Sequence, residues 1–295
     1  GIVYSVTTGG GPGSLTGSLP STSGGAYKSE DGGMTWARIN CGIQQNGGRT
    51  TAVYADPANA LHAILAISGG ETSFFGEGIS AGTYIEGGIY ATTDGGANWE
   101  RLEVAPNDEP GEYVYFREAS SNPSLLFTFA FNREDPELSP GFLESSDGGN
   151  TWAQFAPSMQ NKTITYFDVS ADGNRIYAIS DSELDRALYR STDAGNSWEQ
   201  FQIFTSGYTL SVSPQDHTRV LYGQSDGLYL STDGLATSTK ILSNDDRMSD
   251  LVFAPSNPSI VWTITQGYVL YKSTNGGASF TQVSNLRDEV LNENP

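Results

Sequence analysis

At 295 residues, the chain can fill one large or two ordinary domains. Its 34 acidic and 15 basic residues leave a net charge of −19, which argues against nucleic acid and anionic membrane surfaces as partners. A single cysteine, Cys41, excludes an internal disulfide, a zinc cluster and a redox pair, and reads as a small buried residue. No apolar run of about 18 residues occurs, so membrane insertion is not expected. The first residue is Gly1 rather than Met, which reads as a piece processed from a longer, exported precursor: secreted, periplasmic or on a cell surface.

The first clear element is a short apolar strand at Ala26-Tyr27, followed from Ser29 by SEDGGMTW. The pattern Ser/Thr-x-Asp-x-Gly-x-Thr/Ser-aromatic returns at Thr92 (TTDGGANW), Ser145 (SSDGGNTW), Ser191 (STDAGNSW) and Ser273 (STNGGASF), with a worn copy at Ser231 (STDGLATS). Each copy follows a similar strand, such as Ile89-Tyr90, Leu188-Tyr189 or Leu228-Tyr229. Successive starts lie 63, 53, 46, 40 and 42 residues apart, which brackets the period of roughly 40–50 residues of a propeller blade. The acid or amide at the third position (Asp31, Asp94, Asp147, Asp193, Asp233 and Asn275) can fold onto nearby backbone N–H groups, and the glycines supply the positive φ of a tight turn. These six are therefore read as structural residues. The closing Trp or Phe is expected to fill the space between neighbouring sheets.

These residues resemble the Asp-box, or BNR, repeat of sialidases, sortilin-type receptors, xyloglucan hydrolases and a photosystem assembly factor. The resemblance implies a propeller in which the box is a structural turn remote from any active site. Specific activities of those families leave fainter marks. A sialidase would carry an Arg-Ile-Pro segment near its start, and none occurs among the 11 arginines. The segment Ser21-Thr22-Ser23-Gly24-Gly25-Ala26-Tyr27 resembles a stretch of the xyloglucan hydrolases whose aspartate is catalytic, but Thr22 stands in that aspartate's place.

A second turn signature precedes the second strand of each repeat: Asp56-Pro57-Ala58-Asn59, Ser121-Asn122-Pro123, Ala171-Asp172-Gly173-Asn174, Pro214-Gln215-Asp216 and Ser256-Asn257-Pro258. With strands named A to D outward, the chain reads as a single all-β domain over 1–295. It is a six-bladed propeller, with seven as the alternative if the 63-residue interval hides a degenerate blade. Residues 288–295 resemble an A strand and are expected to join the N-terminal strands, closing the ring and removing open sheet edges.

Excess length falls in the B–C connections 8–23, 69–86, 132–140 and 181–185, on the face opposite the boxes, and the site is expected there. Candidate ligand residues on those loops are Phe74, Phe75, Glu77, Tyr84, Arg133, Asp135 and Asp185, a mixture of aromatics and acids suited to sugar faces and hydroxyls. Asp181, Glu183 and Asp185 also resemble half of a calcium loop, although Arg186 stands where glycine is wanted; no other cofactor is expected. Aligned A strands place Glu289, Tyr54, Arg117, Asp168, Ser211 and Val252 at one inner position. Arg117 and Asp168 there read as an ion pair or as ligand contacts, and Asp168 with Glu289 as the acid pair of a glycoside hydrolase. His62 and His217 read as packing or turn residues, and Asn161-Lys162-Thr163 as a glycosylation sequon. The favoured reading is a non-catalytic propeller binding a glycan or a protein. The alternatives are a glycoside hydrolase or polysaccharide lyase, and an assembly subunit of a surface complex.

Overall fold

The computed structural model describes residues 1–7, 25–43, 49–68, 70–71, 84–85, 87–104, 112–113, 115–132, 139–182, 185–201, 207–243 and 246–286. They form two compact units, Gly1–Arg117 with Pro123–Asn161 and Glu118–Asn122 with Lys162–Pro295. The described structure is all-β apart from the 3-10 turn Pro157–Met159 and isolated turns. Each of its six main sheets is an antiparallel meander in chain order, which is the blade expected from the repeat.

In the first unit, blade 1 comprises Val3–Thr7, Gly25–Ser29 and Ala37–Arg38. Blade 2 comprises Arg49–Ala55, Ala63–Ser68, Gly88–Thr92 and Glu100–Arg101. The long first interval also carries a small hairpin, Gly70–Glu71 with Tyr84–Ile85, and no further four-stranded sheet is found there among the described residues. Blade 3 comprises Glu112–Tyr113, Asn122–Phe131, Gly141–Ser145 and Ala153–Phe155, of which Asn122 alone falls in the second unit. The expected closing strand, 288–295, lies outside the described residues.

The second unit holds blade 4 (Ile164–Val169, Ile176–Ser182, Asp185–Ser191, Glu199–Gln200) and blade 5 (Gly207–Val212, Val220–Gln224, Gly227–Ser231, Thr239–Ser243). Blade 6 follows with Met248–Phe253, Val261–Thr265, Val269–Ser273 and Thr281–Asn285. In blade 4 the expected loop 181–185 is mostly strand: Asp181 pairs with Arg186 and Ser182 with Asp185.

The B strands show why these sequences form stacked sheets. Ala63–Ser68 is buried on both faces, and its alternating side chains serve two cores. Ala63, Leu65 and Ile67 pack with Ala26, Tyr90 and Trp99 toward blade 1, whereas Ile64 and Ala66 pack with Leu126, Leu143 and Trp152 toward blade 3. Blade 5 repeats the device. Val220 and Tyr222 meet Tyr177, Ile179 and Leu188 of blade 4, while Leu221 meets Met248, Leu251 and Phe253 of blade 6. Each fully buried Leu or Ile contributes about 1.5–3 kcal/mol. Box tryptophans Trp99 and Trp152 are 3% and 6% exposed, as expected, but Trp36 is 44% and its neighbour Met34 86% exposed. Cys41 likewise departs from the sequence reading: it is exposed, with its Sγ 3.5 Å from Asn98 Oδ1.

Hydrogen bonds crossing from one blade to the next add specificity that the sequence does not announce. Tyr4 donates to the Ala60 carbonyl at 2.8 Å, and the Trp99 indole donates to that of Ile39 at 2.7 Å. In the second unit Tyr177 donates to the His217 carbonyl at 2.8 Å, Arg219 to that of Gly276 at 2.9 Å, and Arg190 to that of Gly234. The A strands of blades 2, 4, 5 and 6 each carry a bulge, between residues 50 and 52, 164 and 166, 207 and 209, and 248 and 250. A bulge bends the strand and increases its local twist.

Candidate functional site

The box turns are saturated by their own residues. Asp147 Oδ1 accepts from the Ser145 hydroxyl at 2.8 Å and the Thr151 N–H at 2.9 Å, and its Oδ2 accepts from the Thr151 hydroxyl at 2.6 Å. Asp31, Asp193 and Asp233 repeat this set with Thr35, Ser197 and Thr237; Asp94 does so with Asn98. Asn275 substitutes by donating its Nδ2 to Ser279 Oγ while its Oδ1 accepts from the Ser279 N–H. These donors hold Asp94 at a pKa of about 2, led by the Asn98 N–H, and keep Asp31, Asp193 and Asp233 below the ordinary carboxylate range. Asp147 is also lowered, because the same bonds outweigh the opposing effect of burial.

A further bond ties each box to its own blade. The N–H at the fourth box position donates to a carbonyl near the start of the B strand: Gly95 to Leu61, Gly148 to Ser124, Ala194 to Asn174, Gly234 to Thr218 and Gly276 to Ser259. All six sequence-assigned box residues are thus engaged in turns, at the ends of the sheets opposite the B–C hairpins. The two histidines lie instead at the A–B turns, His62 Nδ1 3.4 Å from Asp56 Oδ2 and His217 Nδ1 3.6 Å from Asp172 Oδ1.

The proposed inner acid Asp168 joins two blades. Its Oδ2 accepts from the Val212 N–H at 2.8 Å and the Ser211 hydroxyl at 3.3 Å on the A strand of blade 5, and its Oδ1 accepts from the Val169 N–H at 3.0 Å. Asp250, on the A strand of blade 6, accepts from the Tyr166 hydroxyl at 3.0 Å. Arg117 belongs to the first unit and Asp168 to the second. The Arg117 guanidinium donates to the Phe116 carbonyl at 3.0 Å and lies 5.1 Å from the centre of the Tyr115 ring. Glu289, Phe74, Phe75, Glu77, Arg133 and Asp135 lie outside the described residues, as does the side chain of Tyr84, whose backbone pairs with Glu71.

Asp185 does enter a cluster, and with a partner that sequence reasoning left aside. Ser180 faces Ala187 across the B–C hairpin of blade 4, which puts Ser180, Asp185 and Tyr189 on one face. Asp185 Oδ1 accepts from the Tyr189 hydroxyl at 2.6 Å. Asp185 Oδ2 lies 3.1 Å from the ammonium of Lys162, which sits 5.2 Å from the centre of the Tyr189 ring. Burial raises the Asp185 pKa, but Tyr189, Lys162 and Ser180 outweigh it and hold the carboxyl below its ordinary value. For Lys162, burial opposes the charge while Tyr189 and Asp185 favour it, and the net direction is upward. The cluster therefore contains a carboxylate and an ammonium. Glu183 and the Asp181 side chain, the other acids of the expected calcium half-loop, lie outside the described residues. Lys162 is one of four lysines in the chain and follows the sequon asparagine, the only signal that could have drawn notice to it.

Blades, box turns and interblade bonds together define an Asp-box β-propeller fold. The chain resembles sortilin-type and xyloglucanase propellers, and no curated protein matches its sequence. The Sortilin-Vps10 family (sortilin, neurotensin receptor 3) matches residues 141–249. The GH74 xyloglucanase from Xanthomonas campestris is similar at a TM-score of 0.66 and 17% identity, covering 96% of this chain and 43% of that one. An ancestral GH74 enzyme gives a TM-score of 0.55 at 17% identity, covering 85% of this chain and 32% of that one. YCF48 from Cyanidioschyzon merolae gives 0.50 at 15%, covering 80% and 72%. The chain thus spans less than half the length of either GH74 enzyme. Among the described residues, no helix is long and apolar enough to cross a membrane.

Proposed function

We propose that this is an exported, non-catalytic propeller that binds a glycan through the face carrying its B–C and D–A connections. The observation that carries the reading is the bonding of Asp168. This carboxylate accepts two hydrogen bonds from the next blade and one from its own backbone, which suits a residue fixing two A strands together rather than an acid that must give up and retake a proton. The likeness in fold to a xyloglucanase supports a polysaccharide as the ligand class, and the aromatic and acidic composition of the sequence segment 71–84 supports the same choice. The saturated box turns leave that end of the molecule to scaffolding.

The test incubates the chain with xyloglucan, arabinan, sialosides and uronic-acid polymers, measuring retention by affinity electrophoresis and released oligosaccharides by mass spectrometry. Retention without release is expected. Release that disappears in Asp168→Asn would instead establish a hydrolase or lyase, and retention of none of the polymers would reject glycan binding.

A further inference from the structure

Among the described residues, two of the buried side-chain polar atoms of blade 4 without a hydrogen-bond partner belong to the cluster around Asp185. They are Asp185 Oδ2 and Ser180 Oγ. Ser180 is 1% exposed, and its hydroxyl lies near enough to help lower the Asp185 pKa without completing a hydrogen bond. The Lys162 ammonium is 3.1 Å from Asp185 Oδ2 but outside hydrogen-bond geometry. Leaving such atoms unbonded costs roughly 1–3 kcal/mol each, so native structures rarely tolerate them without a purpose.

Blade 5 supplies an internal comparison. There Asp226, Tyr229 and Lys240 form the same acid, phenol and ammonium combination, and Tyr229, like Tyr189, stands two residues before its box. In that cluster both carboxylate oxygens are bonded: Tyr229 donates within reach of each, and Lys240 donates to Oδ2. The blade 5 cluster is complete by itself, whereas in the blade 4 cluster, among the described residues, Asp185 Oδ2 has only its ion pair with Lys162 and Ser180 Oγ has no hydrogen-bond partner.

We propose that the Ser180, Asp185 and Lys162 nook is a subsite for a pair of neighbouring hydroxyls on a neutral sugar, an inference that rests on the glycan-binding reading above. Tyr189 occupies Oδ1 and so fixes the carboxylate with Oδ2 turned to the nook. The Lys162 side chain, a third exposed and held by a charge contact, turns outward as the ligand enters. One sugar hydroxyl then donates to Asp185 Oδ2 and accepts from Ser180 Oγ, and its neighbour accepts from the Lys162 ammonium. No covalent step is involved.

The experiment uses the full chain with xyloglucan and arabinan oligosaccharides as probes, measured by calorimetry alongside thermal melting. Asp185→Asn is expected to weaken binding about tenfold, the loss of one charge-assisted hydrogen bond, and Asp226→Asn to leave it unchanged. Ser180→Ala is the sharper variant, because deleting an unbonded buried hydroxyl should raise the melting temperature of the free protein while weakening binding several-fold. A purely structural role cannot produce that opposition. Native-like affinity in both Asp185→Asn and Ser180→Ala, with the unmodified chain still binding, overturns the subsite alone. Failure of the unmodified chain to bind either probe or any other polymer in the panel overturns the glycan-binding reading and the subsite with it.

Discussion

Gly148 and Gly149 are neighbours in one box turn, both at positive φ (74° and 93°), yet they answer to different constraints. A Cβ on Gly148 meets nothing within 4 Å, whereas one on Gly149 would lie 1.8 Å from Ile64 Cδ1 on the preceding blade. Gly148→Ala should therefore cost only the left-handed conformation, about 1–2 kcal/mol. Gly149→Ala adds the displacement of a packed isoleucine, for a total of roughly 3 kcal/mol or more. Urea unfolding of the two variants checks this, and equal losses would show that Ile64 yields freely. The sequence marks both glycines as turn formers but not the second as a packing surface, since that role depends on a side chain from another repeat. The worn box makes the same point in reverse. Leu235 takes the fifth position at φ 78°, and its burial among Tyr177, Tyr222 and their neighbours offsets the backbone strain.

Between blades, the elements are joined by apolar faces that the sequence shows and by polar contacts that it does not. Alternation within Ala63–Ser68 tells which residues share a face, because strand periodicity is local. Nothing local tells that Tyr177 will reach the His217 carbonyl, or Arg190 that of Gly234, because those acceptors belong to turns some 40 residues away. Each such contact removes a backbone carbonyl from competition with water and fixes the stagger of adjacent sheets. Tyr177→Phe should lower the unfolding free energy by about 1 kcal/mol. Arg190→Met should cost about 2 kcal/mol, since it also loses the stacking of its guanidinium 4.7 Å from the centre of the Phe201 ring. Its pairing with the exposed Glu199 adds little. Denaturant titration measures both, and an unchanged midpoint for Tyr177→Phe would show that the hydroxyl bond is replaced by water without loss.

Over the whole molecule, the repeat was legible because every copy solves the same local problem with the same residues, from Ser29 to Ser273. The candidate site was less so, because strand register brings Ser180 and Asp185 to one face and Lys162 reaches them from outside that hairpin. Charge, however, is a property of the whole chain, and it predicts how stability responds to pH. At pH 7 the net charge of −19 opposes compaction. As pH falls toward about 4–5, ordinary carboxylates begin to take up protons and the repulsion eases. Glu144 acts in the same direction: burial raises its pKa, so the folded form binds its proton first and gains stability as pH falls. The turn carboxylates act oppositely. Asp94 and Asp172, each at about 2, and the similarly lowered Asp31, Asp147, Asp193 and Asp233 contribute fully above their unfolded values near 4 and lose that contribution as pH falls through the folded ones. Melting temperature in low salt should therefore rise from pH 7 to a maximum between about pH 4 and 5 and drop steeply below it. Added sodium chloride should flatten the rise, which comes mainly from screened long-range repulsion, and spare the drop, which comes from hydrogen bonds made within single turns. A melting temperature that declines steadily from pH 7 in low salt would mean that the acidic surface does not strain the fold, and the absence of a steep drop below about pH 4 would mean that the turn carboxylates titrate near their ordinary values.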